Sequence, residues 1–340
     1  MIGLRGNKFS KEDVYDALKE GRLLTMHIFL ENVCNFKCPF CLTQTRTFKN
    51  ELNTSELKKL ISDGKSLGVK TIAIAGAGEP LLANNFWEII DFIKANNLNV
   101  IVFSNMSLIT KEMAQKLHEN KISIIGKLNS FKKEVQEKYI GNVAGAYEKM
   151  QNGLKNLLAV GYTKLNEKEE TMLALETSIL NENVNDLYDF WIYCRENNIF
   201  PIVDTIYYQG KATESAYEDY LVDYPLIDSA IKKINEYDKK IGHNWKIKLL
   251  KHNGKGVLIG ELGLDCIKIG TNLNVDVEGR VFDCFNMSGL GYGNIREKSL
   301  VDIWGEKKPY VDAISLHGLC KCRDYTDRKS IQKELAICSN

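Results

Sequence analysis

The chain carries little net charge, few histidines and no long hydrophobic run, and each shortage excludes something. Lysine and arginine total 45 against 44 for aspartate and glutamate, a formal net charge of +1. That balance gives no electrostatic reason to expect nucleic acid as a partner. No apolar run approaches the roughly eighteen residues of a membrane span. The longest, TIAIAG and NVIVFS, are strand-sized, so no membrane contact is expected. The N-terminus, MIGLRGNKFSKEDVYDALKEG, is polar and amphipathic and lacks the apolar core of a secretion signal. Internal repeats and low-complexity tails are missing as well. A cytoplasmic protein is the expectation.

What is present is a globular composition, 44% apolar and 26% charged over 340 residues. That length suits one large α/β core with a smaller module, or two ordinary domains. Nine cysteines in such a chain do not read as a disulfide framework. Their grouping is more informative. Cys34, Cys38 and Cys41 form one set, and Cys266, Cys284, Cys320 and Cys322 gather toward the C-terminus. Cys194 sits between aromatics in DFWIYCREN and reads as a buried core thiol, while Cys338 stands apart.

Helix and strand signals alternate along the first two thirds. Ser10 with Glu12 and Asp13 opens a helix over 11–20, and TMHIFLE (25–31) is a strand running straight into the first cysteines. A helix follows with Thr54 or Ser55 as N-cap and Gly68 as C-cap, then the buried strand of VKTIAIAGAGEP. Residues 84–96 are helical, 99–105 a strand, and TKEMAQKLHEN a helix capped by Thr110. KISIIGKLN, TMLALETS and FPIVDTIYYQG supply three more strands, with helices over about 131–160 and 184–197 between them. Six strands reading as continuous apolar runs describe a parallel sheet covered on both faces. Six units are too few for the closed eight-fold barrel, which leaves an open partial barrel or a doubly wound sheet. After Gly210 the repeat stops. A helical stretch over 214–245 leads into a glycine- and cysteine-rich end that would draw stability from metal.

Three thiolates on a loop after a strand make a soft-metal site. A structural zinc needs four ligands. No fourth lies near, since His27 sits in the preceding strand and the next histidine is His118. Three ligands suit an iron–sulfur cube with one iron left open.

With aromatic Phe40 before the last thiol, the C-x3-C-x2-C loop of Cys34, Cys38 and Cys41 resembles that of the radical S-adenosylmethionine (radical SAM) enzymes. The resemblance implies that SAM chelates the open iron of a [4Fe–4S] cluster. Reductive cleavage then yields a 5′-deoxyadenosyl radical that abstracts a substrate hydrogen. By the same resemblance Phe40 packs near the adenine. Gly76, Ala77, Gly78 and Glu79 stand where the family carries a GGEP-like loop for the SAM amino group, with Ala77 in place of one glycine. Ser104 and Asn105 occupy its T-N-G-like turn. Lys127, Asn129 and Ser178 match positions for the SAM ribose or carboxylate, and Tyr207 opens the segment flanking the adenine. His27, on one strand face with Phe29 and Glu31, is a further candidate for the cavity.

The spacing Cys266-x12-Gly279-x4-Cys284, followed by GNIREKSLVDIW and Cys320-x-Cys322, resembles the auxiliary-cluster modules of that family, the SPASM and twitch domains. Four clustered thiols imply one auxiliary [4Fe–4S] cluster, with His317 or Cys338 able to replace a ligand. A structural zinc ribbon is the alternative, and iron content discriminates.

The implied architecture is α/β: a partial (β/α)6 TIM-like barrel over 22–212, with a small C-terminal cysteine-rich twitch/SPASM-like domain over 263–340. Residues 1–21 form an N-terminal helical extension and 213–262 a helical linker. The implied function is a radical SAM oxidoreductase in which the auxiliary cluster accepts an electron from the substrate. A flavodoxin- or ferredoxin-type protein is the expected reductant. Peptide-modifying members commonly carry an N-terminal recognition domain. Few residues precede strand one here, which weakens a ribosomal-peptide substrate and favours a small molecule, such as a natural-product intermediate, or a short peptide. The alternatives are a ribosomal-peptide maturase, an epimerase or decarboxylase of a sugar or nucleoside, and, more remotely, a non-enzymatic electron carrier.

Overall fold

The computed structural model describes residues 2–43, 48–206, 210–213, 220–243, 247, 249–252, 255–258, 270–282 and 291–306. Its centre is a sheet whose six parallel strands are those read from the sequence. They are β2 (Thr25–Phe29), β3 (Thr71–Ala75), β4 (Asn99–Ser104), β5 (Ser123–Lys127), β7 (Leu173–Ile179) and β8 (Phe200–Thr205), hydrogen-bonded in that order. Two short strands complete the floor: β1 (Gly3–Leu4) pairs in parallel with β6 (Glu170–Thr171).

Alternation along the strands sorts side chains into two layers. Met26, Ile28, Ile72, Ile74, Val100, Val102, Ile124, Leu173, Leu175 and Val203 face outward into the main core. Helices α2 (Thr54–Ser66), α3 (Phe86–Ala95), α4 (Lys111–Glu119), α6 (Ala146–Ala159) and α7 (Leu187–Glu196) cover them with their own apolar stripes. Ala73, Ile101, Ile125, Ala174 and Ile202 point the other way and pack with Leu4. Residues 3–6 close this inner space at the strand starts. There the hydroxyl of Thr71 donates to the Gly6 carbonyl at 2.6 Å and that of Ser123 to Arg5 at 2.9 Å. The N-terminal segment is thus a floor as well as the helix α1 (Lys11–Glu20) expected from Ser10, whose capping box with Asp13 is formed. The C-terminal ends of the strands remain as the open mouth, where α/β folds keep their chemistry.

Local signals place most ends, with instructive exceptions. Asn53, not Thr54 or Ser55, caps α2: its carboxamide accepts from the backbone of Ser55 and Glu56, while Glu56 reaches back to the Asn53 N–H. Leu67 rather than Gly68 is the C-cap; Gly68 follows in the left-handed region at φ +97°. The helix expected over 131–160 divides into α5 (Lys133–Tyr139) and α6, because Gly141 and Gly145 both adopt positive φ. Beyond the barrel come α8 (Tyr224–Lys240) and the hairpin of β9 (Leu249–His252) with β10 (Lys255–Leu258).

The C-terminal segment joins the barrel instead of lying beside it. Strand β11 (Asn272–Val275) pairs in parallel with β2, from Asn272 opposite Thr25 to Val275 opposite Ile28. Strands β12 (Arg280–Phe282) and β13 (Gly293–Asn294) continue antiparallel, extending the sheet to nine strands. The boundary expected at 263 is therefore crossed by sheet hydrogen bonds. Residues 300–306 are helical, and Trp304 donates its indole N–H to the Gly21 carbonyl at 2.7 Å.

Candidate functional site

The loop leaving β2 crosses the mouth and carries Cys34, Cys38 and Cys41, all half-buried free thiols. It is held on several sides by backbone bonds. Gly78 N–H donates to Glu31 O at 2.8 Å and Glu79 N–H to Val33 O at 2.9 Å, so the loop after β3 runs against the start of the cysteine loop. Lys37 N–H reaches Ile140 O at 3.1 Å, and Lys211 N–H reaches Cys41 O at 2.9 Å. Glycine is required at two of these crossings. A Cβ on Gly78 would stand 2.1 Å from Val33 O, and one on Gly210, at φ +59°, 2.3 Å from Cys41 O.

Two of the thiols feel their burial strongly. Burial pushes the Cys34 thiol up to about 11 and the Cys38 thiol up to about 12. Negative charge on Glu79 and Cys41 raises Cys34 further, and charge on Cys41 and Cys34 raises Cys38. The Phe36 N–H donates to Cys34 Sγ at 3.4 Å, and Thr43 Oγ1 lies 3.5 Å from Cys41 Sγ. Among the described residues no group of three His, Cys, Asp or Glu side chains is gathered to hold a single metal ion. Three soft thiols on one loop have the chemistry of iron–sulfur ligands.

Glu79, expected beside the SAM amino group, makes its hydrogen bonds within the protein. Its side chain is 2% exposed and turned into the protein, where Ser104 Oγ donates to Oε1 at 2.8 Å, Asn105 N–H to Oε2 at 2.8 Å and Leu81 N–H to Oε1 at 3.3 Å. It latches the GAGEP loop to the end of β4. Ser104 is likewise occupied by the latch. Asn105 turns its carboxamide outward to Asn35 Oδ1 at 2.8 Å and toward Cys34, whose thiolate it favours. The carbonyl of Ala77 accepts the Thr43 hydroxyl at 2.6 Å.

Lys127 and Glu176 face each other across β5 and β7 inside the mouth, 2.5 Å apart, with the Lys127 ammonium 5.5 Å from the Phe103 ring centroid. His27 lies on the same interior surface, its ring 6.0 Å from Phe103. Asn129 accepts the Ser178 N–H at 3.0 Å, which brings these two expected residues together. Phe40 packs edge-on against Tyr139 at 5.7 Å and Tyr220 at 6.1 Å. Cys194 is fully buried on α7. Tyr207, Cys266, Cys284, Cys320, Cys322, His317 and Cys338 lie outside the described residues. Sequence reasoning missed Thr43 and Asn35, which link the loops. Their only sequence signal is position, beside the cysteines.

Comparison with known proteins accords with this geometry. The radical SAM superfamily model matches residues 28–190, and that of SPASM, an iron–sulfur cluster-binding domain, matches residues 266–338. Fe-coproporphyrin III synthase of Methanosarcina barkeri is 25% identical over 90% of this chain and 79% of its own length. A probable GTP 3′,8-cyclase of Methanocaldococcus jannaschii is 25% identical over 84% of this chain and 90% of its own. Among solved structures, Streptococcus suis SuiB bound to precursor peptide SuiA superposes with a TM-score of 0.64 at 16% identity, covering 89% of this chain and 70% of that one. That likeness speaks for the fold. Among the described residues no helix is long and apolar enough to cross a membrane. The chain belongs to the radical SAM superfamily and carries a C-terminal SPASM domain, and its cofactors are S-adenosylmethionine and [4Fe–4S] clusters, one of them auxiliary.

Proposed function

We propose that Cys34, Cys38 and Cys41 hold the SAM-binding cluster by three corners, and that this enzyme is an oxidoreductase whose auxiliary cluster takes an electron from the substrate. The observation that carries the first half is the three-thiol loop held across the strand ends by the GAGEP backbone. When bound, the cluster would pass one electron to SAM, whose C–S bond would break to leave methionine and a 5′-deoxyadenosyl radical able to take a hydrogen atom from a substrate carbon. The protein's own residues supply the geometry. Gly76 and Gly78 let the loop backbone fold closely on itself and against Val33, Glu79 holds the loop's shape from behind, and the loop backbone meets the SAM amino group. Lys127, Asn129 and Ser178 line the β5–β7 side of the mouth, where a carboxylate and ribose hydroxyls find donors. Tyr139 and Tyr220 brace Phe40 and with it the segment between Cys38 and Cys41.

For the auxiliary cluster the reading rests on Cys266, Cys284, Cys320 and Cys322, with the domain taken as 263–340 and the barrel as 22–212. A small molecule is the substrate this reading favours, because charged and polar side chains on adjacent strands, Lys127, Glu176 and Asp204, point into one confined mouth. A peptide substrate is the second reading, favoured by the SuiB fold with its bound precursor peptide. A flavodoxin- or ferredoxin-type protein of the cytoplasm would deliver the first electron.

Anaerobic reconstitution followed by SAM and a reductant tests the proposal. Release of 5′-deoxyadenosine is expected, and Cys34→Ala should abolish it. Cys284→Ala should keep uncoupled cleavage yet lose product. Intact SAM after incubation with fully iron-loaded wild-type protein would sink the reading. Deuterium transfer into 5′-deoxyadenosine, from labelled small molecules on one side and labelled peptides on the other, separates the two substrate classes.

A further inference from the structure

The SPASM segment grips the chain as it leaves the cysteine loop. Arg296, just after β13, donates through Nη1 to Asn50 O at 2.7 Å and through Nη2 to Glu51 O at 3.0 Å. The same guanidinium meets the Glu56 carboxylate with two bonds, Nε at 2.6 Å and Nη2 at 2.9 Å. One side chain therefore fixes two backbone carbonyls and the first turn of α2, a fork that lysine cannot reproduce. Around it, Glu278 accepts the Lys49 N–H at 3.0 Å, and Leu52 N–H donates to Val277 O at 2.7 Å. The Arg296 hydrogen bonds hold the Glu56 carboxyl down at about 2, so the pair stays charged across the physiological range.

From this strap a contiguous path leads to the thiols. Val277 and Phe282 pack with Phe29, Ala75 and Ala77, and Phe48 joins the same cluster. Ala77 is the middle of the GAGEP loop, and its carbonyl takes the Thr43 hydroxyl that lies beside Cys41 Sγ. The C-terminal hairpin thus packs against the GAGEP loop, and among the described residues Arg296 ties it there with four hydrogen bonds.

We propose that Arg296 is a positioning residue, clamping the SPASM segment to residues 50–56 so that docking of that segment and SAM binding in the barrel are coupled. The inference rests on the functional reading above and goes beyond it in assigning one side chain to the coupling. Coupling of this kind needs a connected set of packed and hydrogen-bonded groups biased by both sites.

The test compares reconstituted wild-type protein with Arg296→Ala, Arg296→Lys and, as a control in the same turn, Lys298→Ala. Lys298 pairs only with exposed Glu306 among the described residues. Three readouts are taken: hydrogen exchange of residues 48–56, the SAM dissociation constant, and the change SAM causes in the electron paramagnetic resonance signal of the reduced cluster. In Arg296→Ala, exchange should speed up, SAM binding should weaken about tenfold, in the range of ordinary coupling, and the SAM-induced change should shrink, at unchanged iron content. Arg296→Lys should fall between, and Lys298→Ala should match wild type. Faster exchange with unaltered SAM binding and spectra would overturn the proposal, leaving Arg296 a merely structural tie. Should Arg296→Ala not fold, Arg296→Lys decides on the same readouts. Wild-type protein that binds no SAM would instead overturn the functional reading and the coupling with it.

Discussion

Thr43 donates its hydroxyl to the Ala77 carbonyl at 2.6 Å while standing 3.5 Å from the sulfur of Cys41. One buried side chain therefore joins the thiol loop to the glycine loop, the two parts proposed to hold SAM. Removing the hydroxyl in Thr43→Val keeps volume but leaves a buried carbonyl unsatisfied, at a cost of about 1–3 kcal/mol. Urea unfolding should register that loss. SAM affinity should drop in parallel, because the distance between the loops is no longer set. Thr43→Ser restores both. Equal SAM binding in the valine variant would show that the loops are fixed without this bond.

Glu79 is buried with three donors on its carboxylate, yet burial dominates and pushes it up to about 7. A carboxyl raised above its unfolded value binds a proton on folding. The native state then holds more protons than the unfolded state between about 4.5 and 7, and stability falls as pH rises through that window. Above it the cost is constant. Glu79→Gln should flatten this part of the stability–pH curve and can keep only one acceptor oxygen for the three donors. The measurement is chemical denaturation at intervals from pH 4.5 to 8 on cluster-free protein. A slope unchanged by the substitution would mean that other groups produce it.

The barrel was legible because its signals are local. Apolar runs such as TIAIA and NVIVF alternate outward and inward layers, and Ser10 and Thr110 cap their helices by side-chain bonds within three residues. The Asn53 cap is as local, since Glu56 three residues on completes its capping box, but Thr54 and Ser55 beside it carry equally good capping side chains. The pairing of β11 with β2 joins residues far apart in sequence, and no period or propensity in NLNV names its partner. The turned-in carboxylate of Glu79 was illegible for a related reason. A GAGEP motif says that an acid is present, whereas its direction follows from Ser104 and Asn105 on the next strand. Phe40 shows the same limit: its neighbours Tyr139 and Tyr220 arrive from an α5 end and a post-barrel segment.

Far from the mouth, Asp238 of α8 receives Arg195 of α7 through Nη2 at 2.6 Å and Nε at 3.1 Å, and the Trp191 indole N–H at 2.8 Å. Both charged side chains are 2% exposed. A pair so deep gains little over an apolar replacement of both members, yet breaking it leaves an isolated charge out of water. Asp238→Ala should therefore cost about 3–5 kcal/mol, the penalty of breaking a buried ion pair by removing one member. Asp238→Asn, which keeps acceptors for Trp191 and one Arg195 bond, should cost less. Neither substitution touches the cysteine loop or the GAGEP loop. The expected signature is a large fall in the denaturation midpoint with SAM cleavage per folded molecule unchanged, measured below the temperature at which the variant begins to melt. Cleavage reduced in proportion to the stability loss, in fully folded protein, would show that the α7–α8 layer does govern the mouth.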